Sequence, residues 1–246
     1  MSESEFPKSV LISGGSGDGK STSLMNLREQ EGVLYLNCEG GKPIPFKNKF
    51  KRVTVDDPYE IFSILDQVNA DTSGRYHTIV IDTISFMMNR FESVHVIGSA
   101  NTMAAWGLYG QFFPTLMYDY VAKSNCFVIM LGHLDSETDD NGNTTSVVPV
   151  KGALKKNGLE AYFTTVINAR KLALKDIAKD AEEGKLLTIS DRERDLGYKH
   201  VFQTRTVRST VGDRVRSPLG LFADNEAFID NDVQTVIDQL TEYYSD

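Results

Sequence analysis

The sequence predicts an α/β fold: a mostly parallel central sheet flanked by helices, with antiparallel strands added at one edge. Three observations point there. An apolar run of strand length, Ser9 to Ser13, leads into the glycine-rich "GGSGDGKS" of residues 14 to 21, and then into a segment of helical spacing. Further short apolar runs alternate with helical segments, as parallel β–α–β units do. The late strand-like runs have less helix between them, which favours antiparallel pairing at an edge.

Each element follows in order. Ser21 to Glu29 places Leu24, Met25 and Leu27 among polar residues, which predicts a helix. Val33 to Asn37 reads as a buried second strand, closed by Glu39-Gly40-Gly41. Ile61, Ile64, Leu65 and Val68 give Asp57 to Ala70 helical spacing. His77 to Ile81 is a third apolar strand ending in Asp82. Residues 83 to 124 are expected to be mostly helical, broken around Gly98 to Asn101. Cys126 to Leu131 is a fourth strand, ending in Gly132-His133. Asp135 to Thr145 is polar, with an Asn141-Gly142 turn signal, and Val147 to Val150 reads as the return arm of a hairpin. Tyr162 to Ala169 reads as a strand, Lys171 to Gly184 as an exposed helix and His200 to Val207 as a strand. Val233, Val236, Ile237 and Leu240 mark a last amphipathic helix.

Composition bounds the function. A chain of 246 residues, 41% hydrophobic, suits one domain over residues 1–246, with residues 1–8 as a flexible N-terminus. The net charge of −8 argues against a broad basic face for duplex DNA, so any nucleic-acid contact is expected to be local. Cys38 and Cys126 lie in or beside apolar runs and read as small buried hydrophobes of a reducing compartment. No cysteine–histidine metal spacing, apolar leader or membrane-length apolar run is present, so a cytoplasmic protein without a membrane partner is expected.

The chemistry begins in the loop. Gly14, Gly19, Lys20 and Ser21 fit G-x-x-x-x-G-K-S/T. Glycines let the backbone aim N–H groups at phosphate, which makes Gly14, Gly15, Ser16, Gly17, Asp18, Gly19, Lys20, Ser21 and Thr22 the expected nucleotide-binding segment. Lys20 can reach the β- and γ-oxygens, and the Ser21 hydroxyl can ligate Mg²⁺. A glycine-rich turn with an incidental lysine is the competing reading, and the order strand, loop, helix argues against it. "TIVIDT", residues 78 to 83, has the form of an acidic strand on the metal side, with Asp82 as the acid. The residue after it is Thr83 rather than glutamate, so a water-activating carboxylate must come from elsewhere. Glu39, past the end of the second strand, is the candidate, against a solvated loop glutamate. His133 ends the fourth strand and can donate a hydrogen bond to a γ-phosphate, against a histidine that merely ends a strand.

Together "GGSGDGKS", "LYLNCEGG", "TIVIDT" and "FVIMLGHLD" resemble the RecA-like core ATPases. The small bacteriophage members that act in single-strand annealing or recombination are the most similar. The resemblance covers residues 8 to 245 and implies a RecA-like P-loop NTPase core with ATP and Mg²⁺ as cofactors. It implies Lys20 and Ser21 on phosphate and metal, Asp82 on the metal side, Glu39 as catalytic carboxylate and His133 as γ-phosphate sensor. It places a mobile DNA-binding loop at residues 134 to 158. It also places trans-acting basic residues in "RTVRSTVGDRVRSP", where Arg205, Arg208, Arg214 and Arg216 are candidates. Two departures qualify it. The chain is expected to lack the extra terminal domains of full recombinases, which favours annealing over strand exchange. The loop also begins acidic, with Asp135, Glu137, Asp139 and Asp140, which repel phosphate. DNA contact is therefore expected at Lys151, Lys155 and Lys156, and along the helical region from Asn89 to Trp106. Trp106 and Tyr109 are either base-stacking platforms or core aromatics.

The expected function is an ATP-hydrolysing, homo-oligomeric protein, as a ring or filament, that binds single-stranded DNA and promotes annealing or recombination. A RecA-like motor or helicase-type ATPase, and a nucleotide-gated assembly module that touches no nucleic acid, are the alternatives. A small-molecule kinase fits less well, because no arginine-rich lid is evident.

Overall fold

Alternation along the strands decides how the layers form. In the computed structural model, which describes residues 8–138 and 144–245, the first strand β1 (Ser9–Gly14) sends Val10 and Ile12 to one side and Leu11 to the other. Both sides are covered, which is why the strand reads as a continuous apolar run. β2 (Val33–Asn37), β3 (Lys51–Thr54), β4 (Thr78–Asp82) and β5 (Phe127–His133) follow the same logic, β3 excepted.

A two-stranded hairpin, β6 (Asp135–Thr138) with β7 (Thr144–Val147), comes next. The sheet is completed by β8 (Thr165–Ala173), β9 (Tyr198–Gln203) and β10 (Phe228–Asp230). The eight-stranded order is β10-β9-β8-β1-β5-β4-β2-β3. The strands from β8 to β3 are parallel, and β9 and β10 are antiparallel additions at one edge, as expected. β5 lies between β1 and β4, so the loop after β1 and the acid ending β4 face each other across one intervening strand.

One layer is built from α1 (Glu60–Ala70), α2 (Ile84–Phe91) and α3 (Thr102–Thr115). Ile61, Leu65, Met88, Phe91 and Phe113 pack with Leu11, Leu36 and Ile81. α2 continues as a π-helical turn, Glu92–Val96, and α3 as another, Leu116–Val121, just past Pro114, whose ring removes a backbone donor. The opposite face carries Leu24, Leu27, Phe50 and the last helix. Two helices lie late in the chain before that one: α4 (Leu174–Glu183) and α5 (Asp191–Leu196). The last helix, α6 (Val233–Tyr243), buries Val233, Val236 and Leu240. Cys38 and Cys126 are free and buried. No helix among the described residues is long and apolar enough to cross a membrane.

Several sequence expectations need correcting. The helix over Ser21 to Glu29 is a single 3₁₀ turn, Thr22–Leu24. Of the three apolar residues, Leu24 and Leu27 point inward and Met25 is exposed. The chain must enter β2 by Val33, so it leaves the helical path. Glu29 adopts a left-handed φ of 45°, and a Cβ on Gly32 would meet the His77 ring at 2.4 Å. Residues 171 to 173 extend β8 instead of opening α4. β3 was invisible because an edge strand reading Lys-Arg-Val-Thr is mostly exposed and carries no apolar alternation. β10 is only three residues long. α5 carries a capping box, Ser190 with Glu193, that the sequence displays openly. The flexible stretch expected over residues 1–8 and the Asn141-Gly142 turn lie outside the described residues, apart from Lys8.

Candidate functional site

β1 delivers the glycine-rich loop at its C-terminal end. Gly14 has no room for a side chain: a Cβ there would stand 2.6 Å from the Ala169 carbonyl oxygen on β8. Gly17 and Gly19 hold φ values of 85° and 95°, a conformation that L side chains rarely adopt. Their carbonyls are braced from outside the motif. His200 Nε2 lies 3.0 Å from Gly17 O, and Asn231 Nδ2 donates to Gly19 O at 3.0 Å. Asp18 folds back so that its carboxylate accepts from Gly15 N at 2.8 Å. Ser16 and Thr22 are exposed. Lys20 is buried and donates to Gly14 O and Gly15 O, both at 2.8 Å. Burial pulls its pKa down, and the negative charges of Asp18, Asp82 and Glu39 oppose that pull.

Asp82, 2% exposed, ends β4. Its Oδ2 accepts from the Tyr35 hydroxyl at 2.5 Å and from Ser21 Oγ at 3.1 Å. Its Oδ1 is buried with no hydrogen-bond partner. An orphaned carboxylate oxygen beside a serine hydroxyl fits a hard cation that takes oxygen ligands, as Mg²⁺ does. No cluster of His, Cys, Asp and Glu among the described residues could hold a metal by itself. Mg²⁺ typically keeps one or two protein carboxylates and draws other ligands from water and substrate phosphates. Burial raises the Asp82 pKa, against the hydrogen bond from Tyr35, and burial and Asp82 together push the Tyr35 phenol up. The Asp82–Thr83 peptide is cis.

Glu39 and His133 come together although 94 positions separate them. In register, Asn37 pairs with Asp82 and Gly14 with His133, so β2, β4, β5 and β1 end side by side. His133 Nε2 donates to Glu39 Oε1 at 3.3 Å, and Lys42 Nζ lies 3.0 Å from Glu39 Oε2. The Glu39 pKa is pulled down to about 2, first by the hydrogen bond from His133 and then by that from Lys42, against its burial. His133 is fixed in turn: its backbone N–H donates to Ser85 Oγ at 2.9 Å, and its ring meets Phe86 edge-on at 5.4 Å. The next residue, Leu134, donates its N–H to Gly14 O at 3.0 Å and so ties the end of β5 to the loop.

The expected site residues thus divide. Lys20, Ser21, Asp82, Glu39 and His133 converge. The arginines and the late lysines make no hydrogen bond or ion pair with that group among the described residues. Arg205 pairs with Asp224 at 2.6 Å. Arg214 pairs with Glu160, a carboxylate 1% exposed, at 3.2 Å. Arg208 and Arg216 are exposed and unpaired among the described residues. Lys151 pairs with Glu92 at 2.7 Å and Lys155 with Glu137 at 3.0 Å, while Lys156 is unpaired among the described residues. Tyr109 is core, 2% exposed, with its hydroxyl on Lys151 N, so its ring is closed to a base. Trp106 is half-buried, edge-on to Tyr109.

Sequence reasoning missed Tyr35, Lys42, Asn37, Ser85, His200 and Asn231. Tyr35 was hidden in an apolar run. Lys42 had a signal, since it follows Glu39 by three residues across two glycines. His200 and Asn231 had none, because they lie far along the chain from the loop they brace.

A family model described as an AAA domain matches residues 7–209. No curated protein matches the sequence. Among solved structures, a crystal structure of the RadB recombinase is similar at 15% identity with a TM-score of 0.40, over 68% of this chain and 76% of that one.

Proposed function

The chain belongs to the AAA domain family, and from that premise we propose that it is an Mg²⁺-dependent ATPase that binds single-stranded DNA and promotes annealing or recombination as a homo-oligomer. The observation that carries the ATPase reading is the convergence of loop, acid and carboxylate–histidine pair at the ends of four consecutive strands. The backbone N–H groups of the loop and the Lys20 ammonium bind the phosphates. Ser21 and the free oxygen of Asp82 would hold Mg²⁺, which when bound offsets the charge of the β- and γ-phosphates. Glu39 orients a water and accepts its proton as the oxygen bonds to the γ-phosphorus and the bond to the β–γ bridging oxygen breaks. His133 donates a hydrogen bond to the γ-phosphate oxygens and, through Leu134 and β6, adjoins the hairpin.

Support for single strands is local. Lys151, Lys155 and Lys156 sit on or beside one 3₁₀ segment, Gly152–Lys156, packed on α3 next to Trp106. The second reading, a nucleotide-gated assembly module, is favoured by Glu92 and Glu137, which already neutralise two of those lysines. A salt-dependent single-strand binding assay decides between them. Replacing all three lysines with alanine should weaken binding and lower the log–log salt slope by roughly two units, at about 0.7 per lost contact. Absence of any single-strand binding at low salt, with or without ATP, refutes the annealing reading and leaves the assembly module. The ATPase reading is tested separately: Lys20→Ala should lose nucleotide binding or turnover with the fold intact, and unchanged affinity and hydrolysis would sink it.

A further inference from the structure

We infer that Lys42 is a second phosphate-binding lysine, held on Glu39 until a terminal phosphate takes it. The inference rests on the ATPase reading of the site and adds to it a means of telling triphosphate from diphosphate.

The turn that carries Lys42 is built for this. Gly40 and Gly41 are both left-handed, at φ 64° and 81°, which folds residue 42 back toward residue 39. The Asn37 side chain clamps both ends of the turn: its Oδ1 accepts from Glu39 N at 2.9 Å and its Nδ2 donates to Lys42 O at 2.8 Å. The root of Lys42 is therefore fixed to the end of β2. Its side chain is 70% exposed, so only the ion pair with Glu39 determines where the ammonium rests. That ammonium adjoins the candidate site: the Glu39 it holds is also bonded by His133, which pairs in register with Gly14 at the start of the loop.

Charge gives the direction of exchange. At the strand ends and in the loop, Lys20 and Lys42 stand against Asp18, Asp82 and Glu39, so the site carries no surplus of positive charge without a ligand. A triphosphate with its metal adds net negative charge. Both lysines now rest on protein oxygens, Lys20 on two loop carbonyls and Lys42 on Glu39. A γ-phosphate beside Glu39 repels that carboxylate and offers Lys42 a stronger anion. Transfer of the ammonium leaves Glu39 free to orient water. As the site stands, both of its oxygens are taken by donors, and its low pKa makes it a weak proton acceptor. A diphosphate lacks the group that draws Lys42 away, so the clamp stays shut.

Calorimetric titration of the full chain with a non-hydrolysable ATP analogue and with ADP, both with Mg²⁺, tests this in Lys42→Met, Lys42→Arg and Glu39→Gln. In Lys42→Met, analogue affinity should fall by about tenfold or more while ADP affinity stays within about twofold, the size of one lost hydrogen bond to a charged group. Lys42→Arg should keep most of the discrimination. Glu39→Gln should bind the analogue more tightly, and that gain should vanish in the Lys42→Met background. Equal losses for both nucleotides, or no loss for either, would overturn the assignment of Lys42 while leaving the ATPase reading intact. A wild-type chain that binds neither nucleotide would overturn both.

Discussion

Glu39 has two expected behaviours that one substitution separates. Glu39→Gln keeps the shape of the side chain and removes the proposed base, so single-turnover ATP hydrolysis should fall by roughly 10²-fold or more. Binding of ATP should persist, since the loop is untouched. Near-wild-type turnover would mean that another group positions the water. The second behaviour concerns acid stability. The carboxyl titrates near 2 in the folded chain, against an ordinary value of 4.5. An acid depressed in this way favours the folded state while ionised. Its contribution is complete above pH 4.5 and is lost as pH falls toward 2. Urea midpoints of wild type and Glu39→Gln should therefore converge over that window, and a constant gap between them from pH 6 to pH 2.5 would contradict the geometry.

The arginine-bearing segment of residues 205–218 is an element in which neighbours have different tasks. Arg214 neutralises buried Glu160, whose other oxygen accepts the Val148 N–H at 2.7 Å, just past β7. Arg214→Ala leaves an unpaired carboxylate at the base of the hairpin and should cost about 3 kcal/mol in chemical denaturation. Arg216 pairs with Val166 through its backbone alone and leaves its side chain in solvent. Arg216→Ala should change stability by no more than about 0.5 kcal/mol. Equal costs for the two would show that Glu160 finds another partner. The same contrast sets the design of a test in trans. Subunits carrying Lys20→Ala should be mixed with subunits lacking Arg208 and Arg216, because loss of Arg214 confounds stability with contact. Mixtures that never exceed the sum of the separate variants would exclude those two arginines as trans contacts.

Across the whole molecule, the proposed nucleotide site joins four strands that are brought together only by folding. A ligand that binds there and not to the unfolded chain stabilises by about 2.7 kcal/mol at one hundred times its dissociation constant. For a chain of this size that is a rise in Tm of about 5–10 °C. Mg²⁺ with ATP should produce it in wild type. Asp82→Asn should lose the part that depends on Mg²⁺, and an undiminished Mg²⁺-dependent rise in that variant would remove Asp82 from the metal's ligands.

The sequence by itself determined the parts whose cause is local. Apolar runs buried on both faces fixed β1, β2, β4 and β5, because only such runs survive between two helical layers. The spacing of Gly14, Gly19, Lys20 and Ser21 fixed the loop, since left-handed backbone and close approach to β8 demand glycine there. The edge strand β3, with its mixed and exposed side chains, carried no such signature, and neither did the short turn that replaced the expected helix at Ser21 to Glu29. Only the tertiary structure decided which distant groups meet. Sheet order set Glu39 against His133, put Tyr35 and Ser21 on one oxygen of Asp82 and left the other bare. It gave Arg214 to Glu160 and two of the three late lysines to Glu92 and Glu137. The physical reason is the same throughout: periodicity and backbone conformation are written over a few neighbouring residues, whereas the partner of a charge is chosen by strand register and packing across the whole sheet.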